Sequence, residues 1–593
     1  LFPATNDSMN SDLSVTVVDG SMFNPSCLYK IYSLLLAAVV FTAVCPLAIS
    51  QENPLADLEK EEEITAVIQV GFDAEMPYRR ELTWVPLTIE LTNNKEDLEG
   101  FLVVRLKDGS VTYRLPVDLP SKTRKSYSTF VYIPERLDEL EFYIESGRRE
   151  IPIMAVTVTT TYTESNQFVA VLSTERGSHE IYAHRPNEEA DIFRRVLYTD
   201  PHQLPRFWIG YQNIDVLIWD GEPDVVMNSA QEKALDEWIQ MGGTLILAAG
   251  ERWQELNASP LRLYAPMTLT GSRVLDAGTK LVSTEGNIQP VLQSGFVMAT
   301  GDLLDDPQIK VWLRAGDDPF LIERKWGAGR IVFVASTVSI PLLADEYQQK
   351  IFKDFLTNSL PAITTKVVNR MDMPITSFLR GMVQAELPST WFIAGYLSVY
   401  ILLVVPVNYL VFRAIGRLEW AWFTVPIWAL IFAYGAYYIG ALRQQGRVTI
   451  NEISVIEARP DATVAPTTTY SSIYSPIRQW YTINLDSPPA FPHPPTIYDF
   501  RRMRRPGGRT TMDESLTLSF TENGSRVEDY LIYHWSQRLL KAQHLTNIGK
   551  GIAVNLTWQG DNIVGSISNH TGFLLRGPML YLQGHFFCFA RPE

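Results

Sequence analysis

The chain has 593 residues, 46% of them hydrophobic and 11% aromatic, which at ~150 residues per domain supplies apolar surface for several buried cores. Lysine and arginine number 51 against 66 aspartates and glutamates, a formal charge of −15 that excludes a chain-wide electrostatic footprint for nucleic acid. The three cysteines, Cys27, Cys45 and Cys588, exclude a disulfide framework and a cysteine-built zinc site.

Residues 1–21 carry Asp7, Asp12 and Asp19, which do not suit the basic lead of an export signal, and Met22 is read as the true start. Residues 31–47 are almost wholly apolar, with Lys30 before them and Ala48-Ile49-Ser50 after. Basic, then apolar, then small is the order of a secretory signal, so the chain beyond residue 50 is expected outside the cytoplasm; an uncleaved anchor is the other reading. Beyond an acidic linker at 57–63, seven segments of alternating polarity cover 64–70, 82–91, 102–106, 111–117, 126–133, 139–144 and 151–158. Turn residues such as Asn93-Asn94, Asp108-Gly109 and Ser146-Gly147 separate them, and this rhythm predicts a β-sandwich of immunoglobulin-like size over 64–160. It holds no catalytic cluster.

From Asn166 to about residue 360 the rhythm changes to alternating strand and helix: strands at 168–173, 214–219 and 244–249, helices at 188–198 and 229–241. Ser229 and Glu232 fit a capping box, and Gly242-Gly243 a helix stop. Strand-like pieces come next at 273–283 and 295–298. A hairpin at 320–325 and 330–335 then turns through Trp326-Gly-Ala-Gly329, and a helix at 344–356 closes the unit. Strands alternating with helices imply a doubly wound, parallel α/β sheet.

This portion resembles the class I glutamine amidotransferase-like fold, through Ile214-Asp-Val-Leu-Ile-Trp-Asp220-Gly221, the helix ending at Gly242-Gly243, and Thr244-Leu-Ile-Leu-Ala-Ala-Gly250-Glu251. Active members place a cysteine nucleophile on the sharp turn after the strand matching 244–249, with a histidine base further on. Here the turn reads Ala248-Ala249-Gly250, no cysteine lies between residues 46 and 587, and no histidine between 203 and 492. The resemblance therefore implies a degenerate member without glutaminase chemistry, for which a partnered thiolate is the minimum. A degenerate sheet keeps the crevice at the carboxyl ends of its strands, where loops and helix N-termini converge. Ligand contacts are expected at Ser173, Glu175, Asp220, Gly221, Gly250, Glu251 and Ser336; helix capping and solvated loops are the competing role for the same residues. Asp220, Glu222 and Glu251 are the carboxylates with which Mg²⁺ or Ca²⁺ would be held, but no metal or other cofactor is expected.

Residues 391–412 and 420–442 contain no charged side chain and are edged by Trp391, Tyr409, Trp420, Trp422, Tyr437 and Tyr438. Each is long enough to cross ~30 Å of hydrocarbon, and the seven residues between them form a tight turn. Pro406, Asn408 and Pro426 need a neighbouring helix to satisfy their freed or polar groups, so the spans are expected to pack on each other or on a partner. With export by the signal, residues 51–390 and 443–593 both lie outside.

Strand-like segments recur at 448–458, 515–520, 551–558 and 562–568, around a Pro/Thr/Ser/Tyr-rich loop at about 460–506. They read as a second β domain over 448–593, cut short at its end. Arg501, Arg502, Arg504, Arg505 and Arg509 form the dense basic run, suited to a partner or to anionic lipid. None of the eight histidines forms a tight metal motif.

The expected architecture is a multidomain α+β and α/β membrane protein: an N-terminal extension and signal over 1–50, a β-sandwich over 64–160, an amidotransferase-like domain over 166–360, a transmembrane helix hairpin over 391–442 and a β-rich domain over 448–593. The layout resembles a group of uncharacterised bacterial envelope proteins, through Pro406-Val-Asn-Tyr-Leu410 and Trp420-Ala-Trp422. That resemblance implies a non-enzymatic protein anchored in the cell membrane, its large domains extracytoplasmic. Its partners would be the lipid bilayer and a membrane or envelope protein. An accessory subunit of an ABC-type exporter, and a hydrolase using the crevice carboxylates with Ser336, are the alternatives.

Overall fold

The computed structural model describes residues 63–588 with breaks, among them 134–138, 162–165, 174–175, 184–192, 359–364, 383–388, 444–447, 486–489 and 494–515. The signal-like stretch, Glu175 and the arginine run at 501–509 lie outside the described residues.

Seven strands build the two larger sheets of the N-terminal part: β1 (Ile64–Val70), β2 (Thr83–Asn93), β3 (Leu98–Leu106), β4 (Val111–Leu119), β5 (Arg124–Ile133), β6 (Glu139–Ser146) and β7 (Arg149–Thr157), with the short Tyr78–Arg80 and Thr159–Thr161 paired beside them. In β2 the buried Leu87, Ile89 and Leu91 alternate with the half-buried Thr88, Glu90 and Thr92, the period of a strand with one face in a core. β1, β2 and β5 make one antiparallel sheet, while β3, β4, β6 and β7 belong to a second.

The parallel sheet comes next. Its strands are β8 (Asn166–Leu172), β9 (Phe193–Thr199), β10 (Val216–Asp220) and β11 (Thr244–Ala248), extended by β12 (Ile309–Ala315), β13 (Asp318–Trp326) and β14 (Gly329–Val334). The order is β9-β8-β10-β11-β14-β13-β12, followed by the short Val282–Ser283, with the first five strands parallel. Numbered along the chain, the parallel strands run 2-1-3-4-5, so strand order reverses between β8 and β10. The helix expected at 188–198 is corrected over its described part: residues 193–199 are the edge strand β9. Val196 and Leu197 satisfy helical spacing, yet both faces of the segment are covered, since Arg194 is buried against Gln167 (2.7 Å) and Asp354 (3.0 Å). The β-branched and aromatic tail Val196 to Thr199 then favours the sheet.

Helix α1 (Ser229–Gln240) starts one residue earlier in its cap than the sequence implies. Asn228 accepts from the Gln231 amide N–H at 3.0 Å, and the Gln231 side chain accepts from the Asn228 N–H, so the reciprocal box is Asn228/Gln231 rather than Ser229/Glu232. Helix α2 (Glu346–Thr357), capped by Asp345, closes the unit.

Helix α3 (Thr365–Met382) precedes two helices long and apolar enough to cross a membrane, Thr390–Ile415 and Leu418–Ile439. The first is α4 (Thr390–Leu402), a π-turn around Pro406 and α5 (Asn408–Ile415); the second is a short 3-10 turn (Leu418–Trp420) followed by most of α6 (Ala421–Arg443). Pro406 has no N–H to give, and the wider turn absorbs the loss. The two helices pack on each other as their polar residues require. Asn408 donates to the Ala421 carbonyl (3.2 Å) and accepts from Thr424 (2.7 Å), and Tyr396 donates to the Phe432 carbonyl (2.7 Å). A Cβ on Gly435 would meet the Tyr396 hydroxyl at 2.7 Å, so the small residue sets the approach.

The C-terminal strands are β15 (Thr449–Ile456), β16 (Val464–Ser475), β17 (Gln479–Leu485), β18 (Phe491–His493), β19 (Leu516–Thr521), β20 (Gly524–Ile532) and β21 (Ser536–Asn547), followed by two hairpins within 552–588. The stretch read as a loop at 460–506 is thus corrected: β16, β17 and β18 lie in it, because its Thr, Tyr, Val and Ile suit a half-buried pleat despite the flanking prolines. β15-β16-β21-β18 form one sheet.

The two β regions, expected as separate domains at 64–160 and 448–593, share a sheet. Its order is β17-β20-β19-β4-β3-β6-β7, and β19 pairs with β4 in parallel from Leu516↔Val111 to Ser519↔Arg114. A period-two pattern reveals a strand but not its neighbour, which is why the sequence divides what the fold joins. The shared core centres on the fully buried Trp84, edge-on to Tyr113, Tyr132, Phe491 and Phe520 at 5.7–6.3 Å.

Candidate functional site

The reversal of strand order puts the carboxyl ends of β8 and β10 at the mouth where doubly wound sheets bind ligands. Asp220 ends β10. Its Oδ2 lies 3.0 Å from His179 Nε2, and it accepts from Thr337 Oγ1 at 2.7 Å and from the Val338 N–H at 3.0 Å. His179 comes from the loop after β8, and Thr337 and Val338 from the loop after β14, so three strand ends converge on one carboxylate oxygen. Thr337 also bonds Ser339 Oγ (2.7 Å), and Ser178 Oγ lies 2.8 Å from His179 Nδ1. A carboxylate only accepts, so in the neutral ring Nε2 carries the hydrogen and Nδ1 is left as acceptor for the Ser178 hydroxyl.

The surroundings hold this ring in place. The His179 and Asp220 side chains are 4% and 7% exposed, while Ser178 is half-buried. Tyr182 stacks on the imidazole (centroids 6.4 Å apart, planes 20°) and donates to the Val338 carbonyl at 2.9 Å. Burial, with a smaller push from Asp220, drives the Tyr182 phenol well above its ordinary value, so it remains a neutral donor. The His179 N–H donates to the Tyr198 hydroxyl at 3.1 Å.

The loop itself is tied to a residue from the N-terminal part. Arg176 donates to Asp73 Oδ1 (2.7 Å), and Asp73 Oδ2 accepts from the Tyr198 N–H at the end of β9 (2.8 Å). Burial pushes the Asp73 carboxyl up, but Arg176 and the N–H groups of Tyr198 and Glu75 together outweigh it and hold it below its usual range. A second buried anchor, Arg80 to Asp215 (2.6 Å), sits at the opposite, amino end of β10, where Asp215 also accepts from the Phe168 N–H.

Of the residues expected at the crevice, Asp220 is at its centre. The Gly221 carbonyl accepts from Arg252 (2.9 Å), which closes that flank. Ser173 is half-buried, its N–H donating to the Thr199 carbonyl at 3.2 Å. Gly250 is not an opening: a Cβ there would meet the Val297 carbonyl at 2.7 Å and Ser336 Cα at 3.2 Å. Ser336 is corrected as a contact residue, being fully buried with its hydroxyl on the Thr337 carbonyl (3.3 Å). Glu251 is exposed, and among the described residues no three His, Cys, Asp or Glu side chains gather as a metal would need. His179 is the residue that sequence reasoning missed. The signal was present: a histidine shortly past the end of a buried strand, on the loop that leaves its carboxyl end.

Residues 63–161 match a family described as a domain of unknown function (DUF8726). No curated protein matches the chain. Among solved structures, the chain is similar to the cytoplasmic protein STM1381 from Salmonella typhimurium LT2 at 14% identity and a TM-score of 0.24, over 33% of this chain and 97% of that one. It is similar to the beta-galactosidase from Rahnella sp. R3 at 12% identity and a TM-score of 0.21, over 64% of this chain and 41% of that one. It is similar to an exo-beta-1,4-mannosidase from Opitutaceae bacterium strain TAV5 at 14% identity and a TM-score of 0.20, over 33% and 34%. The family match covers the first β-strands and stops before the parallel sheet, so the cluster around Asp220 falls outside it.

Proposed function

We propose that the protein is anchored in the cell membrane by the α4–α6 hairpin and presents the crevice around Asp220 and His179 as a recognition site on the outer side. The observation that carries this reading is that no residue in the 18-residue apolar stretch of either helix is buried within the fold. Leu397, Ile401, Leu430 and Tyr434 are each at least half exposed, a contiguous apolar surface far larger than a protein keeps in water. Both helix ends that lead into folded strands lie on one side of the hairpin, so nearly all the folded mass occupies one compartment. The crevice supports ligand or peptide binding through polar groups from three loops, on an amidotransferase-like sheet whose nucleophile turn is filled at Gly250. An envelope or transporter protein is the partner class, and copurification in mild detergent identifies it.

The test is topology. Cysteine accessibility to an impermeant maleimide in intact cells, at positions 317, 416 and 459, is expected to read outside, inside, outside. Labelling at 416 together with the other two from the outer face overturns the spanning hairpin.

One observation favours a second reading: Ser178, His179 and Asp220 are in hydrogen-bond series, with the serine half-buried at the outer end. In that reading the Ser178 oxygen attacks an acyl carbonyl carbon as its proton passes to His179 Nδ1. The leaving group then takes that proton, and water repeats the sequence to release the acid.

A further inference from the structure

We infer that a second membrane contact exists outside the helices: an aromatic and basic patch at one end of the C-terminal sheet that docks in the lipid headgroup layer beside the hairpin. This rests on the spanning reading above. The patch is formed by two adjacent turns. Residues 476–478 join β16 to β17, and residues 533–535 join β20 to β21. The registers Gln479↔Ile532 and Ser475↔Ser536 place the turns side by side. They carry Ile477, Arg478, Tyr533 and Trp535, with Trp480 beside them at the start of β17; Trp480 is 52% and Trp535 57% exposed. Arg478 lies over the Tyr533 ring, 5.4 Å from its centroid. Trp535 takes left-handed backbone (φ 54°), which a bulky residue rarely adopts, and still leaves most of its surface open. Two open indoles with arginine and tyrosine match the amphipathic rings and cations found at a bilayer interface.

The fold says which partner covers the patch, because both routes into the membrane start from this end of the sheet. The second span is followed by β15, whose first residue Thr449 pairs with Tyr474, which pairs in turn with Gln537, two residues from Trp535. The six residues from Arg443 to Thr449 reach at most about 20 Å even fully extended. On the other route, Gln537 donates to the Arg380 carbonyl at 3.1 Å, near the end of α3 and ten residues before Thr390 opens the first span. Along α3, Leu379 and Asp372 are buried on the sheet while Met373, Phe378 and Met382 are exposed. Apolar side chains of this helix therefore continue the open surface from the patch toward the hairpin. The patch thus sits at the membrane-facing rim of the folded body, and a bilayer is the occupant continuous with it.

The test uses the full chain with Cys27, Cys45 and Cys588 replaced by serine, in nanodiscs of phosphatidylethanolamine and phosphatidylglycerol. Nitroxide labels are placed through Trp480→Cys, Trp535→Cys, Leu430→Cys in the second helix and Asp317→Cys in the β12–β13 turn, one at a time. The ratio of oxygen to nickel-chelate collision rates at 480 and 535 is expected to fall between the hydrocarbon value at 430 and the aqueous value at 317. Aqueous values at 480 and 535 with a hydrocarbon value at 430 overturn the patch and leave the hairpin standing. Protection from both reagents at 480 and 535 overturns it in favour of a protein contact. An aqueous value at 430 overturns the spanning reading itself.

Discussion

Lys541 Nζ lies 2.9 and 3.0 Å from the two carboxylate oxygens of Asp372, and the pair ties α3, the helix before the first span, to β21. Tyr470 adds a third bond to Asp372 from β16 at 2.6 Å. Burial drives the Lys541 ammonium down from its usual value, with Asp372 opposing. Both side chains are nearly buried, so removing one partner strands the other. Asp372→Ala is expected to lower stability by about 3–5 kcal/mol, and Asp372→Ala with Lys541→Met by clearly less. Denaturant unfolding followed by tryptophan fluorescence in nanodiscs measures both; equal losses would remove the pair from the account.

The acid side of the stability profile is assigned to Asp73. Its carboxyl is held below the ordinary value of 3.8, so the unfolded chain binds more protons than the folded one as pH falls toward and past that value. Its contribution is complete above pH 3.8 and is lost as pH falls through the folded value. Asp73→Asn is expected to flatten the fall in unfolding midpoint as the pH drops below about 4. Unfolding curves that remain parallel across that range would exclude this carboxyl as the cause.

At the crevice, Asp220→Ala leaves His179 Nε2, Thr337 Oγ1 and the Val338 N–H without their acceptor and is expected to cost at least about 2 kcal/mol. Ser178→Ala, at a half-open hydroxyl, is expected within about 0.5 kcal/mol of the parent. Under the second reading Ser178→Ala also removes hydrolysis of a small activated ester such as p-nitrophenyl acetate. Equal hydrolysis by the parent and this variant decides for recognition alone.

Within the hairpin, Asn408→Leu removes the bonds to Ala421 and Thr424 and is expected to weaken helix pairing by about 0.6–2 kcal/mol. Gly435→Val acts through size, since its Cβ meets the Tyr396 hydroxyl. Disulfide trapping between cysteines placed at Tyr400 and Trp428 reports the spacing, and it should slow in Gly435→Val and recover in Gly435→Val with Tyr396→Ala.

The strands of the first β region, the two apolar helices and the helix from Ser229 were legible because each has one buried face or none polar, so periodicity alone defines them. Where both faces are covered the signal fails. Residues 193–199 read as a helix because Arg194 hides in the core on its own hydrogen bonds. Asp220 was legible as a strand-end carboxylate. His179 was marked only by its place just past a buried strand: its partner is set by a loop folding across the sheet, and no spacing in the chain encodes a distance of 3.0 Å to a residue 41 positions away. Ser336 failed for the opposite reason: it follows the end of β14 by two residues and is fully buried, and it is the next residue, Thr337, that bonds Asp220.

The parallel pairing of β4 with β19 governs how the molecule is made. Val111 waits for Leu516, and the segment between them includes both long apolar helices. On a chain leaving the ribosome, the N-terminal half-sheet therefore carries an open backbone edge until both apolar helices and more than 400 further residues have been made. Both apolar helices are therefore made before the sheet can close, and a chain interrupted before Leu516 leaves the β4 edge without its partner strand.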